Sequence, residues 1–168
     1  MVNFSELLSG GDLRSIGKSD AVVKLILEKP KTFDELFECL YSEDPVIRMR
    51  SADAIEKISV VQPTLLKNYK TPLLQRISRI DQKEVQWHYA QIVPRLALTN
   101  SEAKECVDTL LNNVQSSKSN IVKVFSIQAI YDIAKLHTEI APVINKLLIE
   151  FMDSEVPSIK SRVRKLMK

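Results

Sequence analysis

The chain has 168 residues, of which 45% are hydrophobic, 27% charged and 6% aromatic, and its formal net charge is +3 at pH 7. This composition is typical of a globular protein that buries an apolar core. A net charge this small does not by itself indicate nucleic acid or an anionic membrane as a partner, since such binding depends on how the charge is clustered. No stretch approaches 18 apolar residues and the first residues lack the pattern of a secretion signal, so the sequence predicts a cytoplasmic protein without membrane association.

Residues 1–31 are predicted to form an N-terminal arm and a capping helix. All 3 glycines lie within the first 17 residues, which indicates a partly irregular start. Ser19 and Asp20 are suited to cap a helix whose apolar run ends at Leu27, and Pro30 stops it. This helix is expected to cover the exposed end of the structure that follows.

The remaining sequence repeats itself at a spacing of 37 to 38 residues. Each repeat carries two apolar patterns of helical period, termed helix A and helix B, with almost no strand signal. Equivalent positions are Leu36, Leu74, Leu111 and Leu148 in the A helices, and Ile47, Val85, Val122 and Ile159 in the B helices. Such a repeat is typical of an α-solenoid, in which each hairpin buries its apolar face against its neighbours. Four repeats are predicted within a single structural domain, at about 32–69, 70–98, 99–137 and 138–168.

Local signals mark where several helices begin and end. Thr32 and Thr99 each precede a glutamate by three residues, which is the spacing of a capping box. Pro45 stands at a first-turn position of helix B in the first repeat. Pro94 removes a backbone hydrogen bond and is expected to bend its helix or to mark the last turn.

Helix B of the first repeat resembles the HEAT-repeat pattern, in which a D-P-x-V-R turn leads into an alanine-spaced helix. The matching residues are Asp44, Pro45, Val46, Ile47, Arg48, Ala52, Ala54, Ile55 and Ile58. Later repeats keep the apolar spacing but replace the Asp-Pro pair and the arginine, which implies a weaker Asp-to-Arg ladder between repeats. The resemblance covers roughly residues 32–168. It implies an all-α fold, a right-handed α-α superhelix of about four HEAT-like hairpins whose B helices line a concave groove, and a scaffold that mostly binds proteins and sometimes nucleic acids.

The B helices place polar side chains beside their buried faces, and these define the candidate binding site. The candidate partner-binding residues are Trp87, His88, Gln91 and Arg95 on helix B of the second repeat, with Arg50 and Arg162 flanking them. Trp87 lies opposite the apolar stripe of its helix, and an exposed tryptophan is a typical anchor for a protein partner, although packing against a neighbouring helix is the alternative. The leading hypothesis is a non-catalytic adaptor that binds a protein or peptide in the groove. A solvated face that needs no ligand is the alternative for the polar strip.

Clustered positive charge indicates a second candidate function, the binding of nucleic acid. Residues 159–168 hold five lysines and arginines and no acidic residue. The candidate phosphate contacts are Arg48, Arg50, Lys123, Lys160, Arg162 and Arg164. Such binding would fall steeply with salt concentration. The alternative is a terminal helix whose cations complement its own dipole.

Signatures of catalysis and of cofactor binding are missing from the sequence. His88 and His137 lack the paired spacing of a metal site, and there is no glycine-rich phosphate loop or nucleophile elbow. Cys39 and Cys106 lie in apolar patterns of different repeats and are predicted to be buried thiols. The chain is therefore predicted not to be an enzyme and to use no metal or cofactor. HEAT-like DNA glycosylases are an enzymatic precedent for this fold, but no motif here supports that activity.

Overall fold

A computed structural model describes residues 3–168, which are helical and contain no β-strand. The α-helices are α1 (Phe4–Leu8), α2 (Ser19–Glu28), α3 (Phe33–Glu38), α4 (Pro45–Val61), α5 (Lys70–Gln75), α6 (Lys83–Ile92), α7 (Asn100–Ser116), α8 (Asn120–Leu136), α9 (Ala141–Phe151) and α10 (Pro157–Leu166). They form two compact units, of which the first ends at Leu96 and the second covers Ala97–Lys168. The predicted all-α fold class is confirmed.

α4 is the central helix of the first unit, because it contacts both α2 and α6. Ile47, Ala54, Ile55 and Ile58 of α4 are buried, as the helical period of the sequence predicts. The small side chains of α4 allow neighbouring helices to approach closely. α6 ends at Ile92 and continues as a 3-10 turn, so Pro94 marks its last turn.

The N-terminal arm contains a short helix followed by an irregular segment. α1 buries Phe4 and Leu8, and residues 9–17 then lead to α2 with every glycine of this segment at positive φ. Ser19, predicted to cap α2, is instead its first residue, and its buried hydroxyl donates to Asp53 Oδ2 at 2.5 Å. The beginning of α2 is therefore tied to α4 by a side-chain hydrogen bond.

Apart from Ser19, the predicted signals for helix starts are confirmed at two helices and wrong at one. Asp44 caps α4 through its carboxylate with Pro45 as the first helical residue, and both hydrogen bonds of the Thr99 capping box are formed at α7. Thr32 makes no capping bond at α3. Its hydroxyl donates to the carbonyl of Lys29 instead, because a 3-10 turn precedes this helix.

The second unit consists of the hairpins α7–α8 and α9–α10, and α8 contacts both helices of the second hairpin. Leu110 of α7 and Ile130 of α8 are fully buried, and α10 contributes Ile159 and Val163 to the core.

Each unit buries one cysteine, as predicted. Cys39 lies in the first unit and Cys106 in the second, and no disulfide joins them. Burial raises the pKa of the Cys39 thiol, which keeps that side chain protonated and unreactive.

Candidate partner-binding face of the first unit

α6 presents an aromatic side chain on the side that faces away from its core residues. Val85, Tyr89 and Ile92 are buried and fill the core side of this helix. At 100° per residue, Trp87 and Gln91 lie on the opposite side, and the structure leaves both half-buried. Gln91 donates to the carbonyl of Trp87, which orients its amide along the helix.

His88 lies beside Trp87 but is buried, with only 8% of its surface exposed. The centroids of the two rings are 5.7 Å apart, and the Nδ1 atom of His88 is enclosed without a hydrogen-bond partner. Burial lowers the pKa of His88 below its usual range, although the carboxylates of Asp53 and Glu56 act in the opposite direction. The imidazole is therefore neutral at pH 7 and lies buried beside Trp87, so it is not an exposed cation.

Arg95 is fixed against α4. Its Nη1 atom donates to Glu56 Oε1 and to Ser59 Oγ, each at 2.7 Å. About a third of the arginine side chain, 32%, remains exposed, so the ion pair is accessible to a partner and screened by solvent. Arg95 thus presents a positioned, partly exposed charge in the turn that follows α6.

Lys57, the residue after Glu56 in α4, forms a second set of ion pairs and joins α4 to α2. Lys57 Nζ lies 2.6 Å from Asp20 Oδ1 and 2.6 Å from Asp53 Oδ2. Burial works against the charged form of Lys57, but the hydrogen bonds to these two carboxylates outweigh it and raise the pKa of the amine. We use the term B-helix face for this surface, which carries Asp20, Glu56, Lys57, Trp87, Gln91 and Arg95.

Arg50 is not part of the B-helix face, because its side chain is buried with 3% exposed. Its Nη1 atom donates to the carbonyls of Leu8 and Ser9 at 2.8 and 2.9 Å, and its Nε atom donates to the carbonyl of Ser15 at 3.0 Å. Gly17 packs on the guanidinium so closely that an added Cβ would lie 2.6 Å from Cζ. Arg50 therefore holds the irregular N-terminal segment in place.

Arg48 takes part in a bridge between successive hairpins that the sequence only partly indicated. Its Nε atom donates to Gln82 Oε1 at 2.8 Å, and Gln82 Nε2 donates to the carbonyl of Pro45 at 2.9 Å. Gln82 stands at the position equivalent to Asp44, so an amide replaces the carboxylate of the ladder. The register identified the position, but residue type alone did not reveal that an arginine and a glutamine would bond there.

The remaining candidate residues lie in the second unit, and they differ in their bonding partners and in their exposure. They are Arg162, Lys160, Lys123 and Arg164. Arg162 Nη1 donates to Gln128 Oε1 at 2.6 Å, which ties α10 to α8. Lys160 lies 3.8 Å from Asp153 in a long ion pair. Lys123 is half-buried and Arg164 is exposed.

Within residues 3–168, no group of three or more histidine, cysteine, aspartate or glutamate side chains is placed to hold a metal ion. None of the helices among these residues is long and apolar enough to cross a membrane. The B-helix face combines the aromatic side chain of Trp87 with the ion pairs Glu56–Arg95 and Asp20–Lys57.

Helical hairpins that contact through their second helices define the chain as a helical-repeat protein. The HEAT repeat domain family matches residues 12–168, and the chain belongs to this family. The predicted resemblance is thereby confirmed, and it begins earlier than residue 32 because it includes α2. The sequence matches no curated protein and no solved structure. HEAT repeats are scaffolds that typically bind proteins, which agrees with the predicted class of function.

Proposed function

We propose that this chain is a non-catalytic HEAT-repeat scaffold that binds a protein or peptide partner on the B-helix face of its first unit. The observation that carries the proposal is Trp87, a large aromatic side chain left half-buried on a helix whose core side is already filled. Tryptophan supplies a wide, rigid contact area at little cost in conformational entropy and is enriched among residues that dominate binding energy.

The ion pairs around Trp87 support a partner with polar groups of both signs. Glu56 with Arg95, and Asp20 with Lys57, add fixed and partly exposed charges to the face that carries Trp87. Charges at the rim of an interface mainly set the orientation and the association rate of a partner. Trp87 then supplies most of the binding free energy, and the ion pairs set the direction in which a peptide lies.

The internal bonds of the basic residues favour a protein over a nucleic acid. Arg48 and Arg50 direct their Nε and Nη1 donors, and Arg162 its Nη1 donor, to groups of the chain itself, so these atoms are not available to phosphates. Nucleic-acid binding remains the second candidate function because Arg164 is exposed in a segment without acidic residues. It predicts an affinity that falls steeply between low and physiological salt.

The experiment that tests the proposal compares partner capture by the wild type and by Trp87→Ala. Tagged protein is incubated with lysate of its source organism, with and without nuclease, and the bound proteins are identified by mass spectrometry. We expect a partner that survives nuclease treatment and that Trp87→Ala loses, with at least a tenfold loss of affinity since removal of an anchor residue costs about 2 kcal/mol or more.

Tyr131→Ala is the matched control, because Tyr131 is a half-buried aromatic residue of the second unit that stacks under Lys135. This variant is expected to retain the partner. Thermal unfolding by circular dichroism is measured for both variants, so that loss of binding is distinguished from loss of folding. Retention of the partner by Trp87→Ala, or its loss after nuclease treatment, would contradict the proposal.

A further inference from the structure

His88 occupies the repeat position that Arg50 holds in α4 and Arg162 in α10. Both arginines bond to the element that precedes them, Arg50 to backbone carbonyls of the N-terminal segment and Arg162 to Gln128 of α8. His88 forms no such bond, and its buried Nδ1 atom has no hydrogen-bond partner. A buried polar atom without a partner costs free energy, so its presence at this position requires an explanation.

The repeat register indicates Asp53 of α4 as the acceptor for His88. Gln128, which accepts from Arg162, stands at the position equivalent to Asp53. Asp53 is itself buried, with 7% of its surface exposed. Asp53 is also the charged residue that acts most strongly on His88 and raises the pKa of the imidazole, although burial lowers it more. The register and the charges around His88 therefore point to the same carboxylate.

Asp53 has one carboxylate oxygen left for a further donor. Its Oδ2 atom accepts from Ser19 Oγ at 2.5 Å and from Lys57 Nζ at 2.6 Å. Its Oδ1 atom accepts no hydrogen bond from any residue in the described part of the chain. An acceptor on α4 and a ring nitrogen on α6 are thus both without partners at positions that the repeat register pairs.

The charges around His88 determine when it can act as a donor. They lie on α4, on α6 and in the turn after α6, and the residues are Asp53, Glu56, Lys57, Lys83, Glu84 and Arg95. Glu56 and Glu84 favour the charged imidazole, and each is paired with a cation, at 2.7 Å and 3.7 Å. Lys57 and burial oppose it, so the pKa of His88 lies below its ordinary value. Protonation places a hydrogen on both ring nitrogens, so Nδ1 then needs an acceptor.

We propose that His88 is a proton-dependent switch within the B-helix face, in which the imidazole takes a proton from solvent and donates from Nδ1 to Asp53 Oδ1. The bond joins α6 to α4 and completes the contact that Arg162 makes in the second unit. Asp53 then shares its charge among three donors, which weakens its hold on Ser19 of α2. Trp87 directly precedes His88, so the proton changes the surroundings of the aromatic anchor. Where it concerns partner binding, this inference rests on the proposed function.

The test titrates the full chain without a partner. The chain has two histidines and one tryptophan, so the imidazole signals in nuclear magnetic resonance spectra and the fluorescence of Trp87 are easily assigned. We expect His88 to titrate below about 6.5, the ordinary pKa of a histidine. A slowly exchanging Nδ1 proton should appear as His88 becomes charged, and the fluorescence of Trp87 should change with the same midpoint.

Two substitutions should move the midpoint of His88 in opposite directions. Asp53→Asn removes the carboxylate that favours the imidazolium and should lower the midpoint by about one pH unit. Lys57→Met removes an opposing cation and a competing donor, so it should raise the midpoint by about half a pH unit. Loosening of the structure alone would shift both midpoints in the same direction, towards the value of an exposed histidine.

His137→Gln is the matched control. His137 lies in the second unit, where its Nδ1 atom is 2.9 Å from Asn100 Oδ1. This variant is expected to keep both the midpoint of His88 and the fluorescence transition of Trp87, whereas His88→Gln should abolish that transition. Circular dichroism at pH 7 establishes that each variant is folded. If Asp53→Asn does not fold, Lys57→Met decides alone, since an unchanged or lowered midpoint there contradicts the inference.

Three further results would overturn the inference. Equal midpoints in the wild type, Asp53→Asn and Lys57→Met would show that Asp53 is not the acceptor. Rapid exchange of the Nδ1 proton in the charged form would place the imidazolium against solvent. A fluorescence transition that survives His88→Gln would show that Trp87 responds to another group. Because no partner is present, these results do not depend on whether Trp87→Ala loses a partner in the capture experiment.

Discussion

The two units place the same residue type at the same repeat position and use it differently. Arg50 in the first unit is buried and donates to three backbone carbonyls of the N-terminal segment. Arg162, its equivalent in the second unit, is half-buried and donates to the side chain of Gln128. The repeat register makes these two positions equivalent, whereas the segment packed against each arginine determines which groups it bonds to.

Hydrogen bonds between polar side chains join successive helical elements of the first unit. Asp53 accepts from Ser19, Gln82 accepts from Arg48, and Glu56 accepts from Arg95. Each bond joins α4 either to α2 or to a residue just before or just after α6. We therefore expect the stability of the first unit to depend more strongly on buried polar contacts than that of the second unit.

The largest expected effect is that of removing the buried guanidinium. Arg50→Ala leaves three backbone carbonyls, of which that of Leu8 is buried, without their guanidinium donor, so the free energy of unfolding should fall by about 3 kcal/mol. Arg162→Ala is the matched control and should cost about 1 kcal/mol, since it removes one hydrogen bond that solvent can partly replace. Urea unfolding followed by circular dichroism measures both. Equal losses would break the comparison between the units.

A smaller effect is expected at the two predicted capping boxes. Thr99→Ala removes a cap that is formed and should lower the free energy of unfolding by about 1 kcal/mol. Thr32→Ala removes a hydroxyl that makes no capping bond, so its cost should be less than about 0.5 kcal/mol. The same urea measurement distinguishes the two. A larger loss at Thr32 than at Thr99 would contradict the capping geometry.

The smallest expected effect is a pH dependence of stability that originates at His88. Because burial lowers its pKa in the folded state, the unfolded state, with a histidine pKa of about 6.5, takes up the proton first as the pH falls. The free energy of unfolding should therefore decrease from pH 7 towards pH 5, and His88→Gln should flatten this decrease. Trp87→Phe keeps the buried histidine and serves as the control. Parallel curves for wild type and His88→Gln would exclude His88 as the source.

The sequence predicted the fold well because apolar spacing carries most of the information about a helical repeat. Ile47, Ala54, Ile55 and Ile58 recur on one helical face, and the structure buries all four. Only helices that stack on neighbours satisfy such a pattern over several repeats. The same pattern led to the HEAT family, whose match covers nearly the whole chain.

The candidate site was harder to predict, because the helical period shows on which side of a helix a residue lies but not how deeply the residue is buried. The columns of the repeat placed Arg50 and His88 beside the groove, and the structure buries both. Arg50 is covered by the irregular segment before α2, whose path depends on glycines at positive φ and has no repeat equivalent. Trp87 and Arg95, by contrast, remain partly exposed.

The single buried thiol in each unit gives the natural sequence a pair of built-in reporters. Alkylation requires a thiolate in contact with reagent, so Cys39 and Cys106 should become modified only when their surroundings open. Mass spectrometry distinguishes the two peptides, so one labelling time course yields two separate opening rates. The positions of these cysteines thus allow local fluctuations of each half to be followed without an engineered probe.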